Sequence, residues 1–94
     1  MDLRCHICDS ASFHTLVNYG SYYLQCSNCH TQNVATSFIA IGPQLTGKYD
    51  IIEVDDQMNE IIKLATGKIA NLITMISKEA YQGKIILLKK KPQK

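Results

Sequence analysis

No stretch of the 94-residue chain approaches the roughly 18 consecutive apolar residues that a membrane-spanning helix needs, so no such span is expected. The opening Met-Asp-Leu-Arg-Cys-His lacks the apolar core of a secretory signal. Together these absences predict a cytoplasmic protein, where thiols stay reduced and structural disulfides are disfavoured. There is no internal repeat, no low-complexity tract, no glycine-rich phosphate loop and no nucleophile motif. Glu53, Asp55 and Asp56 stand close together, but capping of a following helix accounts for them without chemistry. The reading is therefore of a binding protein and not an enzyme. A hydrophobic content of 46% argues against disorder and fits one small domain.

What the chain does have is cysteine in pairs. Cys5 and Cys8 are two residues apart, as are Cys26 and Cys29, with seventeen residues between the pairs. This spacing is read as a metal site, zinc first of all. Each C-x-x-C can fold into a tight turn that aims both sulfurs at one cation, and two turns complete a tetrahedron with Zn–S near ~2.3 Å. Between them, FHTLVNYGSYYLQ reads as a hairpin, with Asn18-Tyr19-Gly20-Ser21 as its turn because Asn and Gly tolerate positive φ. Such a hairpin would bring the two pairs together. Four cysteines fill the coordination shell, so the zinc is expected to be structural and no position stays open for catalysis.

The order of turn, hairpin, turn and a third strand at VATSFIAI, residues 34–41, resembles a zinc ribbon over residues 3–41. The resemblance implies a structural zinc held by Cys5, Cys8, Cys26 and Cys29. It also implies contact with nucleic acid or its machinery, which is common among zinc ribbons. Ribbon turns often carry glycine after the second cysteine, whereas Asp9 and His30 stand there in this chain. Both residue types are enriched among non-glycine residues with positive φ. Two rival readings are weaker. CSNCH, residues 26–30, matches a haem-attachment pattern, but that leaves Cys5 and Cys8 idle and needs export. A thioredoxin-like pair would follow a βαβ pattern, which precedes neither cysteine pair. His6, His14 and His30 read as surface or hairpin positions.

GPQLTGK, residues 42–48, is the expected linker. It separates a ribbon over 1–41 from a strand–helix–strand segment over 49–94, packed together as one small domain. YDIIEV, residues 49–54, is a strand candidate, and Asp55 or Asp56 offers an N-cap. Met58, Ile61, Ile62, Ala65, Ile69, Leu72, Ile73 and Ile76 recur at i, i+3, i+4 spacing and predict a long amphipathic helix. Leu64 and Met75 widen its apolar face, a flank suited to a homodimer or to rest on the ribbon. About 25 helical residues would span roughly 37 Å against about 17 Å for a five-residue strand, so a break near Gly67 is one of two ways to fit them. Gly83 is the expected C-terminal cap, and KIILL, residues 84–88, a buried strand. The fold class is α+β.

Charge divides the chain. Residues 1–56 carry two basic and six acidic side chains, and residues 57–94 carry eight basic and two acidic ones. An acidic ribbon and a basic C-terminal half are the expectation. Two functions follow. The first is docking on another protein, as an adaptor, inhibitor or immunity-type protein. The second is nucleic-acid binding through Lys63, Lys68, Lys78 and the lysines Lys89, Lys90 and Lys91, with Tyr22 and Tyr23 able to stack on bases. Near-neutral overall charge favours the first reading.

Overall fold

Among the described residues six β-strands form one sheet, and one helix lies across one of its faces. The computed structural model describes residues 4–37 and 45–91. Strands β1 (Phe13–Asn18) and β2 (Ser21–Cys26) form the expected hairpin, in register from Phe13 opposite Cys26 to Asn18 opposite Ser21. Its two-residue turn has positive φ at Tyr19 (51°) and Gly20 (81°), the backbone pattern that matches strand twist. The left-handed residues are thus Tyr19 and the expected Gly20, whereas Asn18 stays in the strand. Strand β3 (Gln32–Ser37) pairs with β2 and begins two residues before the expected 34–41. Residues 38–41 of that expectation, and 42–44 of the linker, lie outside the described residues.

The second half departs from expectation in one large respect. After β4 (Lys48–Val54), the chain runs as β5 (Glu60–Lys68) and only then as helix α1 (Ile69–Tyr81), before β6 (Ile85–Lys90). The long helix predicted from Met58 to Ile76 is half strand, and α1 has 13 residues. The strand–helix–strand unit is accordingly a hairpin, a helix and a strand. Asp55 does not cap a helix. Its carboxylate accepts the amides of Gln57 (2.9 Å) and Asn59 (2.8 Å) in the β4–β5 turn, where Met58 has φ 68°. The helix starts directly from the end of β5 with Lys68 as an extended N-cap residue that makes no side-chain capping bond. It ends as expected. The Gly83 amide reaches the Ala80 carbonyl (3.0 Å), the Lys84 amide reaches the Glu79 carbonyl (3.4 Å), and Gly83 has φ 91°. That is a Schellman cap.

The strand order is β3-β2-β1-β6-β4-β5, with every neighbouring pair antiparallel. The N-terminal strands that follow the cysteine pairs and the C-terminal segment therefore share one sheet, joined by β1 and β6. Their seam runs from Thr15 opposite Leu88 to Asn18 opposite Ile85. On the helix face, Val17 of β1 and Tyr22 and Leu24 of β2 pack with Tyr49, Ile51, Ile69, Ile76, Ala80, Ile86 and Leu88. Burying each of the large aliphatic side chains stabilises the fold by about 1.5–3 kcal/mol. Leu64 and Met75 pack against this same core, so the flank read as spare apolar surface is occupied. Tyr22 is buried here and unavailable for stacking.

The opposite face holds a second cluster of Leu16, Ile52, Val54 and Leu87, with Tyr23, Met58 and Ile85 packed against it. Two register shifts interrupt the β4–β5 pairing, at Ile51/Ile52 and Glu53/Val54, and such bulges bend a strand and raise its twist.

Candidate metal centre and the lysine-rich end of the sheet

The two cysteine turns are built alike. In the first, the Asp9 amide donates to the Cys5 carbonyl (3.0 Å) and the Cys5 amide to the Ser10 carbonyl (2.8 Å). In the second, the His30 amide donates to the Cys26 carbonyl and the Cys26 amide to the Thr31 carbonyl, both at 2.9 Å. Asp9 (φ 63°) and His30 (φ 65°) take the left-handed conformation that glycine often supplies after the second cysteine. Backbone amides also point at sulfur. Ile7 donates to Cys5 Sγ, and Asn28 and Cys29 donate to Cys26 Sγ, each at 3.4 Å.

The turns face each other across the end of the β1–β2 hairpin. Cys5 Sγ lies 3.5 Å from Cys29 Sγ, and Cys8 Sγ 3.4 Å from Cys26 Sγ. All four sulfurs lie within 4.8 Å of one another. Four sulfurs bound at ~2.3 Å around one tetrahedral ion would be separated by about 3.8 Å, so the cluster needs only small adjustments to accept a metal. The amide of Cys29, offset in part by burial and supported by that of Asn28, holds the Cys26 thiol down at about 6. The amide of Cys8, again against burial, lowers Cys5. The first sulfur of each turn is thus already inclined to the thiolate form that binds metal. The tetrad predicted from spacing is together in space and competent to hold a metal ion.

Cys26 ends β2, so the centre lies at the end of the sheet where β6 and β5 finish and β4 begins. Lysines gather at that end. Lys48 is opposite Lys68, and Lys89, Lys90 and Lys91 continue β6 alongside, with the Lys91 amide bonded to the Lys48 carbonyl at 2.9 Å. Lys48, Lys68, Lys89, Lys90 and Lys91 are all exposed. Asp50 is the acid among them. Its carboxylate accepts the Thr66 hydroxyl (2.7 Å) and pairs with Lys91 (3.7 Å), and the Thr66 bond leads the effects that keep it ionised below the usual carboxylate range. His14 also sits here. Burial first, then the positive charges of Lys89 and His30, lower its imidazole below the ordinary value.

The acids of the first half are spread over both ends of the sheet: exposed Asp9 stands in the first cysteine turn. Glu53, Asp55, Asp56, Glu60 and Glu79 lie toward the other end, around the β4–β5 turn and the last turns of α1. Lys78 and Lys84 lie among these acids, Lys84 paired with Glu79, so each end carries both signs and the lysine excess is at the cysteine end. Two predicted basic residues part company: Lys63 lies on β5 and acts on Asp50, whereas Lys78 lies in the last turn of α1. Lys48 was missed because charge was counted along the chain, and only the β4–β6 pairing brings it to Lys91.

Among the described residues no helix is long and apolar enough to cross a membrane. Comparison with protein-family models, with curated proteins and with solved structures yields no match.

Proposed function

We propose that the chain is a zinc-ribbon protein that binds nucleic acid through the lysine-rich end of its sheet. Zinc on Cys5, Cys8, Cys26 and Cys29 would be structural, with the shell closed by sulfur and no position for a substrate. The observation that carries the reading is the convergence of Lys48, Lys68, Lys89, Lys90 and Lys91 at the end of the sheet that also carries the cysteine turns. A zinc tetrathiolate carries two negative charges, which five lysines more than offset. An exposed cationic end of this kind attracts phosphate by releasing condensed counterions.

The test is fluorescence anisotropy of the zinc-loaded protein with labelled 20-mers across a salt series. Affinity should fall with salt, and Lys48→Gln with Lys68→Gln should flatten the log–log slope by about 1.4–1.8, the share of two phosphate contacts. Binding weaker than ~10⁻⁴ M at low salt would overturn the reading.

A second reading, docking on a protein as an adaptor, inhibitor or immunity-type partner, keeps one observation in its favour. Ile61 and Ile62 are 58% and 55% exposed on β5, an edge strand, where unpaired backbone and apolar side chains invite a partner. Affinity purification with and without nuclease separates the two readings.

A further inference from the structure

The seam between β1 and β6 stops short of the metal end. The two strands pair up to Thr15 opposite Leu88, where the Thr15 hydroxyl donates to the Leu88 carbonyl at 2.6 Å. Beyond that point β1 stays with β2 as far as Phe13, and β6 stays with β4 as far as Lys90. The sheet forks. In the fork lies a cavity of about 520 Å³ lined by Ala11, Ser12, Phe13, His14, Ser27 and Lys89–Lys91.

From this juxtaposition we infer that the fork is a pocket for one nucleotide of single-stranded nucleic acid, with its phosphate on Lys89 and Lys90 and its base against the Phe13 ring. The inference rests on the proposed nucleic-acid function and specifies where and in what form the strand is held. Three features point the same way. The cavity brings cations and an aromatic ring into one concave site, the pairing that binds single strands by backbone charge and base stacking. Ser12 and Ser27 add hydroxyls, and Ser27 belongs to the second cysteine turn, so the wall of the pocket is built by the metal centre. A base stacked in a duplex could not enter a cleft between two strands, whereas an unpaired base can turn into it. Lys91 is engaged with Asp50, which leaves Lys89 and Lys90 as the cations for the ligand.

The experiment compares labelled oligo-dT 12-mers with a blunt duplex of equal length, using the zinc-loaded full chain. Amide chemical shifts should move at residues 11–14, 27 and 89–91 on adding single strand, and the single strand should bind more tightly than the duplex. Lys89→Gln with Lys90→Gln should flatten the single-strand salt slope by about 0.7, the share of one phosphate. Phe13→Leu, which keeps an apolar side chain against the core, should weaken single-strand binding about 5- to 150-fold, the range of one lost stack. Helical circular dichroism and zinc content should be unchanged in both variants. If duplex and single strand bind equally, and Phe13→Leu binds as tightly as the parent while Lys48→Gln/Lys68→Gln does not, the fork is overturned and the phosphate-binding reading survives. If no nucleic acid binds more tightly than ~10⁻⁴ M, both are overturned and protein docking becomes the working function.

Discussion

Tyr81, in the last turn of the helix, closes over Gly20 in the β1–β2 turn: a Cβ added to Gly20 would stand 2.9 Å from the Tyr81 hydroxyl. The contact has a mirror, since a Cβ on Gly83 would stand 3.2 Å from the hydroxyl of Tyr19. Each tyrosine lies against the other element's glycine, which pins the hairpin turn to the helix cap. This also accounts for a tyrosine at a left-handed turn position that favours Asn or Gly. Gly20→Ala should destabilise by about 1–2 kcal/mol through conformation alone, with a further cost from the tyrosine. In a Tyr81→Ala background only the conformational part should remain. Denaturant melts of the two single variants and the double variant should give a coupling on the order of 1 kcal/mol; additive effects would show that the tyrosine does not bear on the turn.

Removal of metal should unfold more than the ribbon. In the structure, Val17, Tyr22 and Leu24 of the ribbon form one core with Ile69, Ile76 and Ala80 of α1. The purified protein should contain one zinc per chain, and chelation should lower helical circular dichroism and hairpin amide protection in a single transition. Cys26→Ser should reproduce that loss. Persistence of the helix after chelation would show two independent units.

Acid should weaken the β4–β5 turn through Asp55. The Asn59 amide first, then that of Gln57, holds its carboxyl below the usual carboxylate range. A depressed folded-state value means stabilisation that is present above the unfolded value near ~3.9 and is lost as pH falls through the folded value. Asp55→Asn should therefore be less stable than the parent at pH 7, and the gap should close below about pH 4. A gap that stayed constant with pH would show that ionisation of Asp55 does not matter.

Thr15→Val should cost about 1–3 kcal/mol although it preserves shape. Thr15 is buried at 7% exposure, and its hydroxyl serves the Leu88 carbonyl at the crotch of the fork. Without it that carbonyl loses a buried bond. Thermal melts of the zinc-loaded protein measure the difference; an unchanged melting temperature would mean the hydroxyl adds nothing.

The cysteine tetrad, the hairpin turn, the left-handed Asp9 and His30, the Gly83 cap and the last strand were all legible in the sequence. Each depends on chemistry within a few residues. Strand β5 was not, for two physical reasons. In sequence, an aspartate that accepts nearby amides in a hairpin turn cannot be told from one that caps a helix, so Asp55 gave no discriminating signal. The two bulges then break the alternation of β5, leaving Ile61, Ile62 and Ala65 at spacings that also fit a helical stripe. The lysine-rich end was illegible for a third reason. It is assembled by pairing β4 with both β5 and β6, and no local pattern announces which strands will meet.

The seam that unites the sheet has a consequence for how the protein is made. Thr15 and Leu88 are 73 residues apart, so β1 can acquire its second neighbour only after the residues through β6 have left the ribosome. Until then the completed hairpin exposes one edge of β1, and the turn at Tyr19 has no helix cap to grip. Closing so distant a contact makes folding slow relative to a helical protein of this size. The nascent ribbon spends that interval with an open strand edge, the state in which wrong pairings form. Early capture of metal by the two cysteine turns would hold β1 and β2 in register while β6 is still being synthesised, so zinc supply during translation should govern the yield of folded protein.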